Sequence, residues 1–127
     1  MALDIQVREE ERGTVITLVG QLDTDTAHQF NPVIETLRND PPIVVVLALQ
    51  DLTYISSAGL RCVFQIKKLM KSNNGRLVIS QPSPQVKKVF EIVQAVPIKS
   101  IFSSYAELDE YLDQMQKQVS ANNPEEF

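Results

Sequence analysis

Asp51-Leu-Thr-Tyr-Ile-Ser-Ser-Ala-Gly-Leu-Arg61 is the stretch that decides how this chain is read. It follows the apolar run Ile43 to Leu49, rich in β-branched residues and led in by Pro41-Pro42. A short apolar run of that composition predicts a buried strand. The pattern then changes to helical periodicity, with Ser56 and Ser57 at the change. Serine hydroxyls at a helix start lie among unpaired backbone N–H groups and the positive end of the helix dipole. A phosphate placed there is held by backbone alone. The serine pair is therefore a candidate switch.

Working outward, strands and helices alternate. Ile5 to Arg8 and Val15 to Val19 are strand-like runs on either side of the polar turn Glu9 to Gly13. Asp23 or Thr24 opens a helical segment to about Asn39, interrupted by Pro32. A helix interior resists proline by about 3 kcal/mol. Either the helix kinks there, or Asn31 caps a second segment with Pro32 at its first position. Beyond the Ser57 to Lys71 helix, Asn73-Asn74-Gly75 signals a turn and Arg76 to Ser80 a strand. Pro84 starts a helix with Val86, Val89, Phe90 and Val93 on one face, and Ile98 to Phe102 reads as a last short strand. Ser104-Tyr-Ala-Glu107 fits a capping box, followed by Leu108, Tyr111, Leu112 and Met115 at amphipathic spacing. This order predicts an α/β fold: one domain over residues 1–120, with a mixed sheet of about five strands and about four helices. Residues 121–127 are a polar C-terminal tail expected to fray. Ligands and partners of such sheets meet the loops at the carboxyl ends of strands. Two of these are chemically loaded, Gly20 to Thr26 and Asp51 to Gly59.

Composition narrows the classes. The chain has 127 residues, 43% hydrophobic and 22% charged, which suits one globular domain. A formal charge of −4 offers no footprint for nucleic acid, and Lys67, Lys68 and Lys71 form only a local cluster. Five charges between Asp4 and Glu11 leave no room there for a signal peptide or membrane span. A single cysteine, Cys62, excludes an internal disulfide and suits a reducing interior, where it reads as a small buried hydrophobe. With one histidine beside it, a protein metal site is not expected.

Catalytic inventories come up short. A Ser-His-Asp site would need His28, which lies in a helical segment, and no G-x-S-x-G surrounds either serine. Four scattered glycines supply no phosphate-cradling loop. Asp23 and Asp25 form a carboxylate pair on paper, but Asp23 at a helix start reads first as a cap. No complete active site emerges. On a helical projection at about 100° per residue, Cys62, Val63, Ile66, Leu69 and Met70 share the face that packs on the sheet. Ser57, Leu60 and Phe64 fall on another side, among Arg61 and the lysines. An exposed apolar anchor, a charged rim and a modifiable hydroxyl make up a protein-docking surface.

Gly20-Gln-Leu-Asp23 after the second strand, the valine-rich strand into Asp51-Leu-Thr-Tyr-Ile, and Ser-Ser-Ala-Gly-Leu at the helix start together carry a resemblance. Over roughly residues 4 to 118 the chain resembles the STAS family, whose type members are bacterial anti-sigma factor antagonists. The resemblance implies a binding module of the cytoplasm, not an enzyme, with no cofactor. Unphosphorylated members bind a partner that is both an anti-sigma factor and an ATP-dependent serine kinase. Phosphorylation dissolves the complex, and a PP2C-type phosphatase reverses the mark. The family's phosphoacceptor stands two residues before the motif glycine, which here is Ser57. Many members carry aspartate just before it; this chain has Ser56, which becomes the runner-up acceptor. The family's acidic loop residue matches Asp23. The partner surface expected from motif and projection together comprises Asp23, Thr24, Asp25, Ser56, Ser57, Ala58, Gly59, Leu60, Arg61 and Phe64. A second reading makes the chain a non-catalytic STAS subunit of another complex, such as a lipid-transport or stress-signalling assembly.

Overall fold

The computed structural model describes residues 2–11, 13–95 and 104–121. Strands β1 (Leu3–Glu10) and β2 (Gly13–Leu22) pair antiparallel, Leu3 opposite Gly20 and Glu10 opposite Gly13. β3 (Val44–Ile55) runs parallel to β2, and β4 (Arg76–Ser80) parallel to β3, giving the sheet order β1-β2-β3-β4. A 3-10 turn (Ala27–Phe30) and α1 (Asn31–Asn39) connect β2 to β3, and α2 (Ser57–Ser72) connects β3 to β4. Helices α3 (Pro84–Ala95) and α4 (Tyr105–Ala121) follow. This is the expected α/β architecture with a mixed sheet. The expected last strand, Ile98 to Phe102, and residues 122–127 of the expected tail lie outside the described residues.

The sheet is two-faced because the side-chain period of a strand is two. Ile16, Leu18, Val45 and Leu47 point inward and are fully buried, and Leu77 and Ile79 of β4 continue that face. Phe30, Ile34, Leu37, Val63, Ile66 and Met70 from the helices complete the core against it. Val15, Val46 and Val78 lie on the opposite face, half-buried or exposed. Pro32 sits in the first turn of α1, where a missing N–H removes no helix bond. It therefore begins a new helix after the 3-10 turn instead of kinking a long one.

β3 departs from the sequence reading, which ends the strand at Leu49 and takes Asp51 to Gly59 as a loop. The strand continues to Ile55. Its pairing with β2 slips by one residue twice: Thr17 faces Ala48 but Val19 faces Asp51, and Gly20 faces Leu52 but Gln21 faces Tyr54. Each slip is a β-bulge, in which one strand carries an extra residue. The buried positions therefore step from Leu49 to Leu52 to Ile55, three apart, and the alternation that identifies a strand disappears. Side chains take up carbonyls near the irregularities: Thr53 Oγ1 donates to Gly20 O at 3.1 Å, and Ser83 Oγ to Leu52 O at 2.5 Å. Gly20 has φ +112°, and a Cβ there would stand 2.3 Å from Ala2 O. No L side chain suits that position.

Candidate functional site: the strand–helix junction and its cleft

The bulges deliver the end of β3 directly into α2 at the serine pair. Ser56 is extended (φ −95°, ψ 178°) and is the N-cap residue: its Oγ accepts the Gly59 N–H at 3.3 Å and its carbonyl the Leu60 N–H at 2.9 Å. Its own N–H donates to Leu22 O at 2.9 Å, tying the junction to the end of β2. Aspartate and serine are both strong N-cap residues. Ser56 thus performs the capping that an aspartate at this position would perform. Gly59 is where the helix start rests on the sheet: a Cβ would lie 2.7 Å from Leu22 Cγ and 2.9 Å from both Ile55 Cγ1 and Leu22 O. The motif glycine is required by close approach.

Ser57, the first helical residue, is 2% exposed, and its Oγ has no hydrogen-bond partner among the described residues. A buried hydroxyl left unpaired costs roughly 1–3 kcal/mol. Its N–H donates to Asp109 Oδ1 of α4 at 2.6 Å. Neither serine is therefore on an open surface in this conformation. Leu60 corrects the projection: it is 2% exposed and belongs to the core. The reason is that α2 has neighbours on several sides, contacting β3, β4, α1, the 3-10 turn and α4, so it buries more than one face. Cys62, Val63, Ile66 and Met70 are buried as expected. Burial pushes the Cys62 thiol up, against a smaller downward pull from Arg61 and a backbone hydrogen bond. Phe64 remains 44% exposed, and Arg61 is exposed beside it.

The first loop is built around its own side chains. Asp23 Oδ1 accepts the N–H groups of Asp25 at 2.9 Å and Thr26 at 3.1 Å, while Thr26 Oγ1 accepts the Asp23 N–H and donates to Gln21 O, both at 2.9 Å. Asp23 thus closes a turn over residues 23–26, with Thr26 buried. The helical segment expected from Asp23 or Thr24 begins only at Ala27, whose N-cap Thr26 makes no side-chain cap bond, because the Asp23 side chain is spent on the turn before it. Thr24 and Asp25 project into solvent.

Between loop and junction lies an open cleft of about 880 Å³. It brings Asp23, Thr24, Asp25 and Ser56 together, whereas Ser57, Ala58, Gly59, Leu60, Arg61 and Phe64 do not line it. Its other wall comes from α4, through Asp109, Asp113, Gln116 and Lys117, none of which the motif reading singles out. Four carboxylates thus share the cleft, and Lys117 is held by one of them, Asp113, at 2.9 Å. Tyr54, on the floor, has its hydroxyl pushed up to about 12, first by burial, then by Asp113 and Asp109, a hydrogen bond to Asp113, and Asp23. A phenol in that setting stays protonated and donates. His28 is exposed and off the cleft. No group of His, Cys, Asp and Glu among the described residues is arranged to hold a metal ion. The cleft is suited to cationic partner groups and hostile to a further anion.

The model of the STAS domain family matches residues 4–108. BtrV of Bordetella bronchiseptica, assigned as an anti-sigma factor antagonist, is 36% identical over 78 residues, 61% of this chain and 67% of that protein. The unphosphorylated form of the anti-sigma factor antagonist SpoIIAA aligns with a TM-score of 0.60 at 26% identity, over 69% of this chain and 82% of that one. The phosphorylated form of the Bacillus cell fate determinant SpoIIAA shares the fold, with a TM-score of 0.62 at 23% identity over 77% and 96%. No helix among the described residues is long and apolar enough to cross a membrane.

Proposed function

The chain belongs to the STAS domain family, and on that premise we propose that it is a cytoplasmic anti-sigma factor antagonist switched by phosphorylation. Unphosphorylated, it binds an anti-sigma factor that is also a serine kinase, freeing the sigma factor. The kinase transfers the γ-phosphoryl group of ATP to Ser57: the Oγ–P bond forms as the bond to ADP breaks, and the hydroxyl proton passes to a base of the kinase. Release follows, and a PP2C-type phosphatase restores the hydroxyl by hydrolysis. In this reading residues 1–120 are the working domain and 121–127 an appended tail. Asp23, Thr24, Asp25, Ala58, Gly59, Arg61 and Phe64 flank the contact.

The observation that carries the reading is the division of labour between the serines. Ser56 Oγ is engaged as the N-cap, and Ser57 Oγ, one residue on at the start of α2, has no partner among the described residues. A phosphate on Ser57 brings about −1.5 to −2 charge to the end of a helix that attracts anions. The sheet and α2 tolerate it, while an acidic cleft beside it becomes more negative and a partner that uses the cleft is expelled. Incubation with the serine kinases of the native cell and ATP, followed by mass spectrometry, should place the mark on Ser57. Ser57→Asp should weaken kinase binding by at least about a hundredfold with an unchanged circular dichroism spectrum. Unchanged affinity sinks the reading, and recovery of a transporter ATPase instead of a kinase from the cell would favour the lipid-transport assembly.

A further inference from the structure

Helix α4 meets the junction through polar groups as well as through its apolar stripe. Gln116, 2% exposed, accepts the Ile55 N–H with Oε1 at 3.0 Å and donates to Ile55 O with Nε2 at 2.8 Å. Its amide pairs with the last residue of β3 as the backbone of a neighbouring strand would. Two turns earlier on the same helix, Asp109 Oδ1 takes the Ser57 N–H at 2.6 Å. A carboxylate therefore already occupies the place an anion takes at a helix N-terminus. Beside it the Ser57 hydroxyl is buried and, among the described residues, unpartnered.

We propose that α4 is a latch in cis: closed, it hides the Ser57 hydroxyl and fills the anion position at the start of α2 with Asp109. This rests on the reading of Ser57 as phosphoacceptor. Phosphoserine at 57 and the closed latch exclude one another, because two anions then compete for the same backbone N–H beside a hydroxyl position that is itself buried. Asp113, one turn beyond Asp109, adds to the repulsion across the cleft. The latch has a threshold. Leu108, Leu112 and Met115 are buried at 5%, 0% and 9% exposure, so opening uncovers apolar surface and does not occur freely. The kinase accordingly acts on the open form, and its rate follows how often α4 withdraws. Once the phosphate is in place, α4 is held off the junction, and its polar edge becomes available to a partner that meets only the modified form.

Thiol labelling tests the closed state without any kinase. Cys62→Ser with Ser57→Cys leaves one cysteine, and iodoacetamide with mass spectrometry reads its exposure. Labelling should be at least about tenfold slower than in the urea-unfolded chain, and should speed up at least about tenfold when Asp109→Ala and Gln116→Ala are added. Native labelling at the unfolded rate overturns the latch. Where the double replacement lowers the helical circular dichroism, Asp109→Asn alone is read in its place. The open state is tested on the full chain with phosphoserine incorporated at 57. Hydrogen exchange across residues 105–118 should rise at least about tenfold, and less with Asp109→Asn. Unchanged exchange there also overturns it. Equal phosphorylation rates for the unaltered and Asp109→Ala, Gln116→Ala chains remove the latch but keep the switch. Absence of phosphate on Ser57 in both chains, with slow native labelling, removes the switch but keeps the closed latch.

Discussion

The ends of β2 and β3 lie side by side in the sheet and solve the same problem in opposite ways. After β2, Asp23 and Thr26 satisfy each other's backbone across three residues. After β3, Ser56 covers one helix N–H locally, but the Ser57 N–H is covered from 52 residues away and both backbone groups of Ile55 from 61 residues away. The first turn needs only its own sequence. The second is complete only while α4 is docked, so its order is conditional on a distant helix. Local closure makes a rigid edge, and remote closure makes an edge whose state can change.

The contrast breaks most readily at Gln116. Gln116→Ala strands the N–H and C=O of Ile55 in a buried place, and urea unfolding should show a loss of about 3 kcal/mol. Hydrogen exchange should rise at the Ile55 amide and along α4 together. A loss near zero would mean that water replaces the amide and the junction does not depend on α4. Asp23→Ala removes two side-chain hydrogen bonds from an exposed to half-buried turn and should cost less, about 1 kcal/mol. Its exchange changes should stay within residues 21–27, and their spread into α4 would erase the distinction between the two ends. The smallest effect is also the one that reads both ends at once. Tyr54 feels Asp113 and Asp109 from α4 and Asp23 from the loop. Absorbance near 295 nm should show a tyrosine ionising at about 12 that Tyr54→Phe removes. The native state keeps this proton while the unfolded chain releases it near the ordinary tyrosine value of about 10. Stability is therefore untouched below that pH and declines as pH climbs from about 10 toward 12. Tyr54→Phe should flatten the decline, and Asp113→Asn should lower the Tyr54 ionisation further than Asp23→Asn does.

The same contrast explains what could be read from the residues. The hairpin, the Asn73 to Gly75 turn and the buried face of α2 are local matters of period and turn chemistry, and they stand as the sequence suggests. The capping serine of α4 is likewise in place, with Ser104 Oγ accepting the Glu107 N–H at 3.2 Å. The course of β3 beyond Leu49 was hidden because two bulges erase the alternation. Leu60 was misplaced because a projection shows which residues share a face but not how many faces are covered. Asp109 and Gln116 belong to no motif. Their one trace is a polar row, Asp109, Asp113 and Gln116, spaced i, i+4, i+7 beside the apolar row of the same helix. A row of that kind ordinarily faces solvent, and only the three-dimensional arrangement turns it toward the junction.

The bulges of β3 also set something like a reading frame. Each adds one residue to the strand without adding one to its partner, so everything downstream is counted from them. Removing a single residue near Gln50 would turn the following strand over, presenting Leu52 and Ile55 to solvent and aiming the capping hydroxyl of Ser56 away from the helix it starts. Removing one at each bulge would restore the facing but draw the helix start back along the sheet. Gln50 and Asp51 are exposed, and their identities are open to change. Their number is not.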